Sequence, residues 1–131
     1  MVPDEDRIPY ELSANAWKGI ALFNSGEYFE AHEFLEAAWR DEPGDLRFLY
    51  QGILLAGISF YHAHNGNLSG SMKTAGRALK HLSGWKHCTD PVDIRTLYRD
   101  LLIVQTQLQK IQPGDLKSLQ TLPGLVLRIT Q

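Results

Sequence analysis

Residues 48–63 read FLYQGILLAGISFYHA and form the least polar stretch of this 131-residue chain. No charged side chain interrupts these 16 residues. A transmembrane helix needs about 20 apolar residues, and this shorter stretch also contains Gln51, Ser59 and His62. The stretch therefore predicts a central helix buried inside a helical protein, not a membrane span.

Two helical hairpins are predicted around this stretch. A first helix is expected to begin near Glu11 and to stop at Gly26, and a second to cover about residues 27–40 before the sequence Glu-Pro-Gly-Asp at 42–45. The third helix is expected over residues 46–64. After a turn at residues 65–67, Asn67 is predicted to cap a fourth helix over residues 68–82.

Beyond the hairpins, a fifth helix is predicted with Asp90 as its N-cap and Pro91 at its first position, ending at Pro113. The first ten residues are expected to be a loose arm. Residues 113–131 are too apolar for a free tail, so they are expected to dock, either on their own bundle or on a neighbouring copy in a homo-oligomer. The fold class is thus an all-α, antiparallel up-and-down bundle of about five helices in one domain, residues 1–131.

Composition narrows the class of partner. Thirteen Lys and Arg against fifteen Asp and Glu give a net charge of −2, so no whole-molecule field favours nucleic acid or an anionic membrane. Cys88 is the single cysteine and has no internal disulfide partner, while the Met1 end is acidic and unlike a secretion signal. A cytoplasmic location is the resulting expectation.

Two polar side chains occupy the apolar stripe predicted for the second helix. On a helical wheel the apolar residues Tyr28, Phe29, Leu35 and Trp39 lie within about 60° of His32, and Glu36 lies about 40° from it. On the third helix, Gln51 and His62 share a line with apolar residues. Because a buried carboxylate or imidazole requires a partner, we expect His32, Glu36 and His62 to meet across the two helices, with Gln51 or Tyr61 adjacent.

Two interpretations of this cluster stand open. In the first, the cluster is structural and locks the register of the helices, and Trp39 and Asn67 serve packing and capping. In the second, the cluster binds a small polar ligand or a divalent metal, with His32, Glu36 and His62 as the metal ligands, or performs general acid–base chemistry. The predicted binding set is then His32, Glu36, Trp39, Gln51, Tyr61, His62 and Asn67. The spacing lacks the second histidine of the zinc-protease motif, and it identifies no reaction and no catalytic residue.

A family resemblance rests on a specific block. Residues 23–39 read FNSGEYFEAHEFLEAAW, followed by Gln51-Gly52, Tyr61-His62 and Gly66-Asn67-x-x-Gly70. Over about residues 21–82 this pattern resembles the small helical family called domain of unknown function 309. The resemblance implies a helical bundle without an established activity. The residues that match the family pattern are His32, Glu36, Trp39, Gln51, His62 and Asn67.

A second resemblance supports a different class of function. Residues 26–31, GEYFEA, are similar to the start of a tetratricopeptide helix, and residues 66–71 repeat the pattern 40 positions later. The usual period is 34 residues. This echo favours a helical scaffold for protein interaction, which would keep its polar face on an open surface, whereas a ligand-binding domain would enclose it.

Overall fold

The computed structural model describes residues 6–130 and is built from α-helices. Six helices follow in order: α1 Ala14–Asn24, α2 Tyr28–Asp41, α3 Leu46–His64, α4 Leu68–Leu82, α5 Ile94–Lys110 and the short α6 Leu116–Gln120, with a 3-10 turn at Ser83–Trp85 between α4 and α5. Between residues 6 and 130 extended chain pairs only at two isolated bridges. Helices α1 to α5 each pack on the next, so the predicted all-α bundle is confirmed.

Helix α3 lies at the centre of the core. Eleven of its nineteen residues are buried, more than in any other helix described between residues 6 and 130. Gly52 on α3 lets α4 approach closely, since a Cβ at this position would lie 2.5 Å from Leu82 Cδ2. None of the helices in residues 6–130 combines the length and apolarity needed to cross a membrane.

The ends of α1 and α3 follow the glycine signal in the sequence. Gly26 and Gly66 both have φ of +78°, the left-handed conformation that glycine adopts without a steric penalty. In each case the next residue donates back into the last turn, from Glu27 N–H to Leu22 O at 3.0 Å and from Asn67 N–H to His62 O at 2.8 Å. This Schellman arrangement satisfies helix-end carbonyls and turns the chain into the next helix.

The start of α5 corrects the sequence prediction. The N-cap is Asp93, whose carboxylate accepts hydrogen bonds from Thr96 N–H at 3.0 Å and from the Thr96 hydroxyl at 2.7 Å. Asp90 has another role: its backbone carbonyl accepts from Ile8 N–H and its carboxylate pairs with Arg7 at 2.7 Å. Because these bonds hold Asp90 in an extended segment, the helix begins three residues later at the second aspartate.

The first and the last of the described residues belong to segments that pack on the bundle. Ile8 is 2% exposed, so residues 6–10 do not form the loose arm that was expected, and residues 1–5 of that prediction lie outside the described residues. At the other end, Leu119, Leu122 and Leu127 join the core. Asn24 fixes this segment, because its side chain donates to Leu127 O at 2.9 Å and accepts from Leu127 N–H at 2.7 Å. The C-terminal segment therefore docks on its own bundle.

Candidate functional site

The His32 and Glu36 side chains lie one turn apart on the outer part of α2. His32 Nε2 is 3.5 Å from Glu36 Oε2, and the Arg40 guanidinium donates to Glu36 Oε1 at 2.6 Å. The His32 side chain is 34% exposed and that of Glu36 is 27% exposed. The expectation that both lie inside the core is therefore wrong. Together with Arg40 they form a line of polar contacts on the partly exposed side of α2.

The physical reason is a shift of one residue on the helical wheel. The buried line of α2 is Tyr28, Ala31, Leu35 and Ala38. His32 and Glu36 each follow a buried residue directly, which turns them about 100° away from the core line. If Phe29 and Trp39 are included in the apolar stripe, the helical wheel centres that stripe on His32. Phe29 is 54% exposed, so that centre was misplaced.

On α3 the polar residues belong to separate levels of the bundle. Gln51 and His62 are eleven residues apart, which corresponds to about 16 Å along a helix. Both are half-buried. Gln51 is therefore not adjacent to His62, and Trp39 packs against the hydrophobic core as a partly buried side chain.

Asn67 has the capping role that the sequence predicted. Its Oδ1 accepts a hydrogen bond from Gly70 N–H at 2.9 Å at the first turn of α4. Its Nδ2 lies 3.4 Å from His62 Nδ1, so the cap also contacts the imidazole at the end of α3. His62 thus lies against the start of α4, and its nearest polar neighbour is an amide.

An aromatic pair joins the two histidines across α2 and α3. The Phe29 and Tyr61 ring centroids are 5.7 Å apart, with Tyr61 38% exposed. His32 lies 6.4 Å from Phe29 and His62 lies 6.2 Å from Tyr61, again between ring centroids. We call Phe29, His32, Tyr61 and His62 the aromatic patch. It is a set of solvent-accessible rings and not a closed pocket.

The predicted three-ligand metal site does not assemble. Among residues 6–130, no group of three or more His, Cys, Asp or Glu side chains is arranged to hold a metal ion. His32 and Glu36 lie together, but Glu36 is bonded to Arg40 and His62 is in contact with Asn67 and Tyr61. The open geometry instead links His32 to Tyr61 through Phe29, a residue that the sequence assigns to the apolar stripe, and His62 contacts Tyr61. The spacing of Tyr28, Ala31 and Leu35 could have identified Phe29 as exposed. These three residues share one line of the helix that faces the core, and Phe29 lies outside that line.

A cavity that sequence reasoning missed lies at the opposite end of α3 from the aromatic patch. Its walls include Tyr10, Phe48, Lys80, His81 and Trp85, which come from four separate segments of the chain. Spacing along the sequence gave no signal for it, because Tyr10 is expected in a loose arm and Trp85 falls between the predicted fourth and fifth helices. The docking of residues 6–10 adds Tyr10 to the walls that α3, α4 and the 3-10 turn provide.

Comparisons with known proteins find a family match that includes the aromatic patch. No curated protein and no solved structure matches the chain. All four residues of the aromatic patch fall within the one stretch that a family model covers. Residues 16–74 match the model described as a domain of unknown function (DUF309), which is the family that the sequence resembles.

Proposed function

We propose that this chain is a helical protein-interaction module that binds a basic segment of a partner protein on the aromatic patch. The observation that carries the proposal is the exposed contact between Phe29 and Tyr61. Large aromatic side chains that face solvent as a contiguous set are typical of interaction sites, where they act as anchors. Half-buried Leu54 and Ile58 extend the same side of α3.

Exposure of the polar groups favours this class over an enclosed ligand site. A small-molecule pocket buries most of its ligand and directs a few polar groups inward. Here the His32 and Glu36 side chains are about one-third exposed and lie on an open helix surface. A partner that covers the surface from outside meets these groups at the rim of its contact, as in many protein interfaces.

The charge of α2 determines the chemistry of the proposed partner. Residues 27–45 contain seven carboxylates and a single base, Arg40. Glu33 is exposed and lies one turn after Phe29 on the same side of the helix. Opposite charge across an interface accelerates association and excludes like-charged partners. We therefore expect a partner segment that carries Lys or Arg beside an apolar anchor.

The test begins with a photocrosslinking residue placed in the full chain in cells. Benzoylphenylalanine at position 29 is expected to give a discrete adduct with another protein. The matched control is position 103 in α5, where Ile103 is 58% exposed but lies outside the aromatic patch. The absence of any adduct at position 29, or the same adducts at both positions, would contradict the proposal. An adduct between two copies of this chain would also contradict it, because the patch would then be an interface for self-association.

Capture alone does not establish the site, so the adduct partner is next purified and its affinity measured by calorimetry. Phe29→Ala and Tyr61→Ala are each expected to weaken binding by about tenfold or more, as anchor residues do. Ile103→Ala is expected to leave the affinity unchanged. Glu33→Lys is expected to weaken binding and to reduce its dependence on salt. Equal affinities for wild type and Phe29→Ala would refute the assignment of the patch.

A further inference from the structure

The cavity near Trp85 has the size of a small-molecule site. It measures about 550 Å³, is open to solvent and is bordered by the N-terminal segment, the start of α3, the end of α4 and the 3-10 turn. Ligand sites for molecules of drug size occupy about 300–1,000 Å³. We call this space the Trp85 cavity. It is independent of the aromatic patch, since Phe48 and Tyr61 are about 20 Å apart along α3.

Aromatic side chains dominate the walls of the Trp85 cavity. Tyr10 is 50% exposed, Phe48 is 41% exposed and Trp85 is half-buried, so their rings are accessible to a ligand. The Phe48 ring meets the His81 ring edge-on at 6.3 Å between centroids. Flat apolar walls from three segments favour a planar ring, which stacks on aromatic faces whatever its pattern of hydrogen-bonding groups.

Basic side chains outnumber acidic ones in and beside the cavity wall, with Lys80, Arg47 and Arg77 against Asp45. Residues 46–89 contain no Asp or Glu, although they contain five Lys and Arg residues. Lys80 lines the cavity, and the Arg47 guanidinium lies 5.1 Å from the Phe48 ring centroid. Burial lowers the pKa of His81, and the nearby charges of Arg77 and Lys80 lower it further. Asp45 is the one carboxylate in the cavity wall.

We propose that the Trp85 cavity binds a planar aromatic anion, with its ring among Tyr10, Phe48 and Trp85 and its negative group near Lys80. An aromatic cage for a cationic ligand would need net negative charge around it, and here the excess charge is positive. The shared ligand chemistry is a flat ring bearing phosphate or carboxylate. Tyr10, Lys80 and Trp85 lie outside residues 16–74, so the site belongs to a part of this chain beyond the family match.

Four probes separate the parts of this proposal in calorimetric titrations of the full chain, with amide chemical shifts to locate binding. Adenosine monophosphate tests a ring with phosphate and indole-3-acetate tests a ring with carboxylate. Adenosine keeps the ring without the charge, and inorganic phosphate keeps the charge without the ring. At least one aromatic anion is expected to bind and to shift the amides of Gly84 and Trp85, whichever of the two sources of charge it carries. Adenosine and phosphate are each expected to bind about tenfold more weakly or not at all.

Variants assign the residues. Lys80→Ala and Phe48→Ala are each expected to lower the affinity for the aromatic anion by about tenfold. Lys73→Ala, at another exposed position of α4 outside the cavity, is expected to leave the affinity unchanged. Both altered cavity side chains are exposed, and circular dichroism verifies that the helices remain.

Three results would overturn the proposal. The first is the absence of binding by both aromatic anions. The second is an affinity for adenosine equal to that for adenosine monophosphate, together with no affinity for indole-3-acetate. The third is an affinity that neither Lys80→Ala nor Phe48→Ala reduces.

Discussion

At Glu36 the carboxylate bonds to Arg40 at 2.6 Å and lies near His32, on a partly exposed helix surface. Exposed ion pairs one turn apart contribute about 0.3–0.5 kcal/mol to stability, because solvent screens the charges and ordering the side chains opposes the gain. We therefore expect Glu36→Gln to lower the free energy of unfolding by less than about 1 kcal/mol. Urea denaturation of both proteins measures the difference. A loss several times larger would indicate that the carboxylate stabilises the core directly.

The same variant tests the metal interpretation. A metal ion that binds only the folded protein must raise the melting temperature. Since Glu36 is held by Arg40 and His62 lies apart from the His32–Glu36 pair, zinc is expected to give no rise that depends on Glu36. Thermal melts with zinc and with a chelator supply the measurement. Glu33→Gln, an exposed carboxylate on the same helix, is the control, and a zinc-dependent rise lost only in Glu36→Gln would contradict the expectation.

Gly52 and Gly76 form a matched pair of glycines inside helices. A Cβ at Gly52 would lie 2.5 Å from Leu82 Cδ2, and Leu82 is fully buried, so it has no room to move. A Cβ at Gly76 would meet nothing closer than the Gln105 amide nitrogen at 3.7 Å. We expect Gly52→Ala to destabilise the protein by about 1–3 kcal/mol through overpacking.

Gly76→Ala is expected to be neutral or to stabilise by up to about 1 kcal/mol, because alanine is the better helix former. Thermal or urea unfolding of the two variants gives both numbers. If Gly52→Ala were as stable as Gly76→Ala, then α3 and α4 would not be in the close contact described above.

Among the helices, the clearest sequence signals gave the correct bounds. The predicted third and fourth helices coincide with Leu46–His64 and Leu68–Leu82. The uncharged run identifies α3, and the glycine turn at residues 65–67 fixes where α3 ends and α4 begins. The start of α5 was misplaced because Asp90 and Asp93 are equally good caps by residue type. Only the contact of Asp90 with Ile8, which is distant in sequence, distinguishes them.

The candidate site was less predictable than the helices that carry it. The sequence correctly selected His32 and Glu36 as neighbours one turn apart, but it placed them on the wrong side of the core boundary. A rotation of one residue on a helical wheel is enough to move a side chain from core to surface. The Trp85 cavity depends on contacts among four segments, and no local pattern reports contacts of that kind.

Asn24 connects the end of α1 to the C-terminal segment through two hydrogen bonds to Leu127. Asn24→Ala removes both hydrogen bonds and leaves the backbone N–H and C=O of buried Leu127 without the Asn24 side chain as a partner. The free energy of unfolding is therefore expected to fall by about 1–3 kcal/mol. Hydrogen exchange of the Leu127 amide is expected to become faster, while exchange in α3 changes only through the global loss of stability. Asn24→Asp keeps the acceptor for the Leu127 N–H and should slow that exchange relative to the alanine variant. Unchanged exchange at Leu127 in Asn24→Ala would show that packing alone holds the segment.

The net charge of the whole molecule is small, but acidic and basic residues are concentrated in different parts of the chain. Residues 27–45 carry seven carboxylates and one arginine, whereas residues 46–89 carry five Lys and Arg and no carboxylate. The acidic stretch contains α2 and the basic stretch contains α3 and α4, so α2 and α4 present opposite charge from either side of α3. The two proposed sites follow this division: a basic partner beside α2 and an anionic ligand at the end of α4.

The layered packing also predicts how the molecule opens. Helix α3 contacts both α2 and α4, and Ile53, Ala56 and Phe60 within it are fully buried, whereas α6 has Leu119 as its single buried residue. Amides of buried central elements exchange only on global unfolding, and peripheral elements open locally at lower free energy. Native-state hydrogen exchange measured across a series of low urea concentrations is therefore expected to give α3 the full free energy of unfolding with a steep urea dependence. Helix α6 is expected to exchange at lower free energy with little urea dependence. Faster exchange in α3 than in α5 would contradict this hierarchy, because α5 packs on the bundle mainly through α4 and could not remain protected once the central helix had opened.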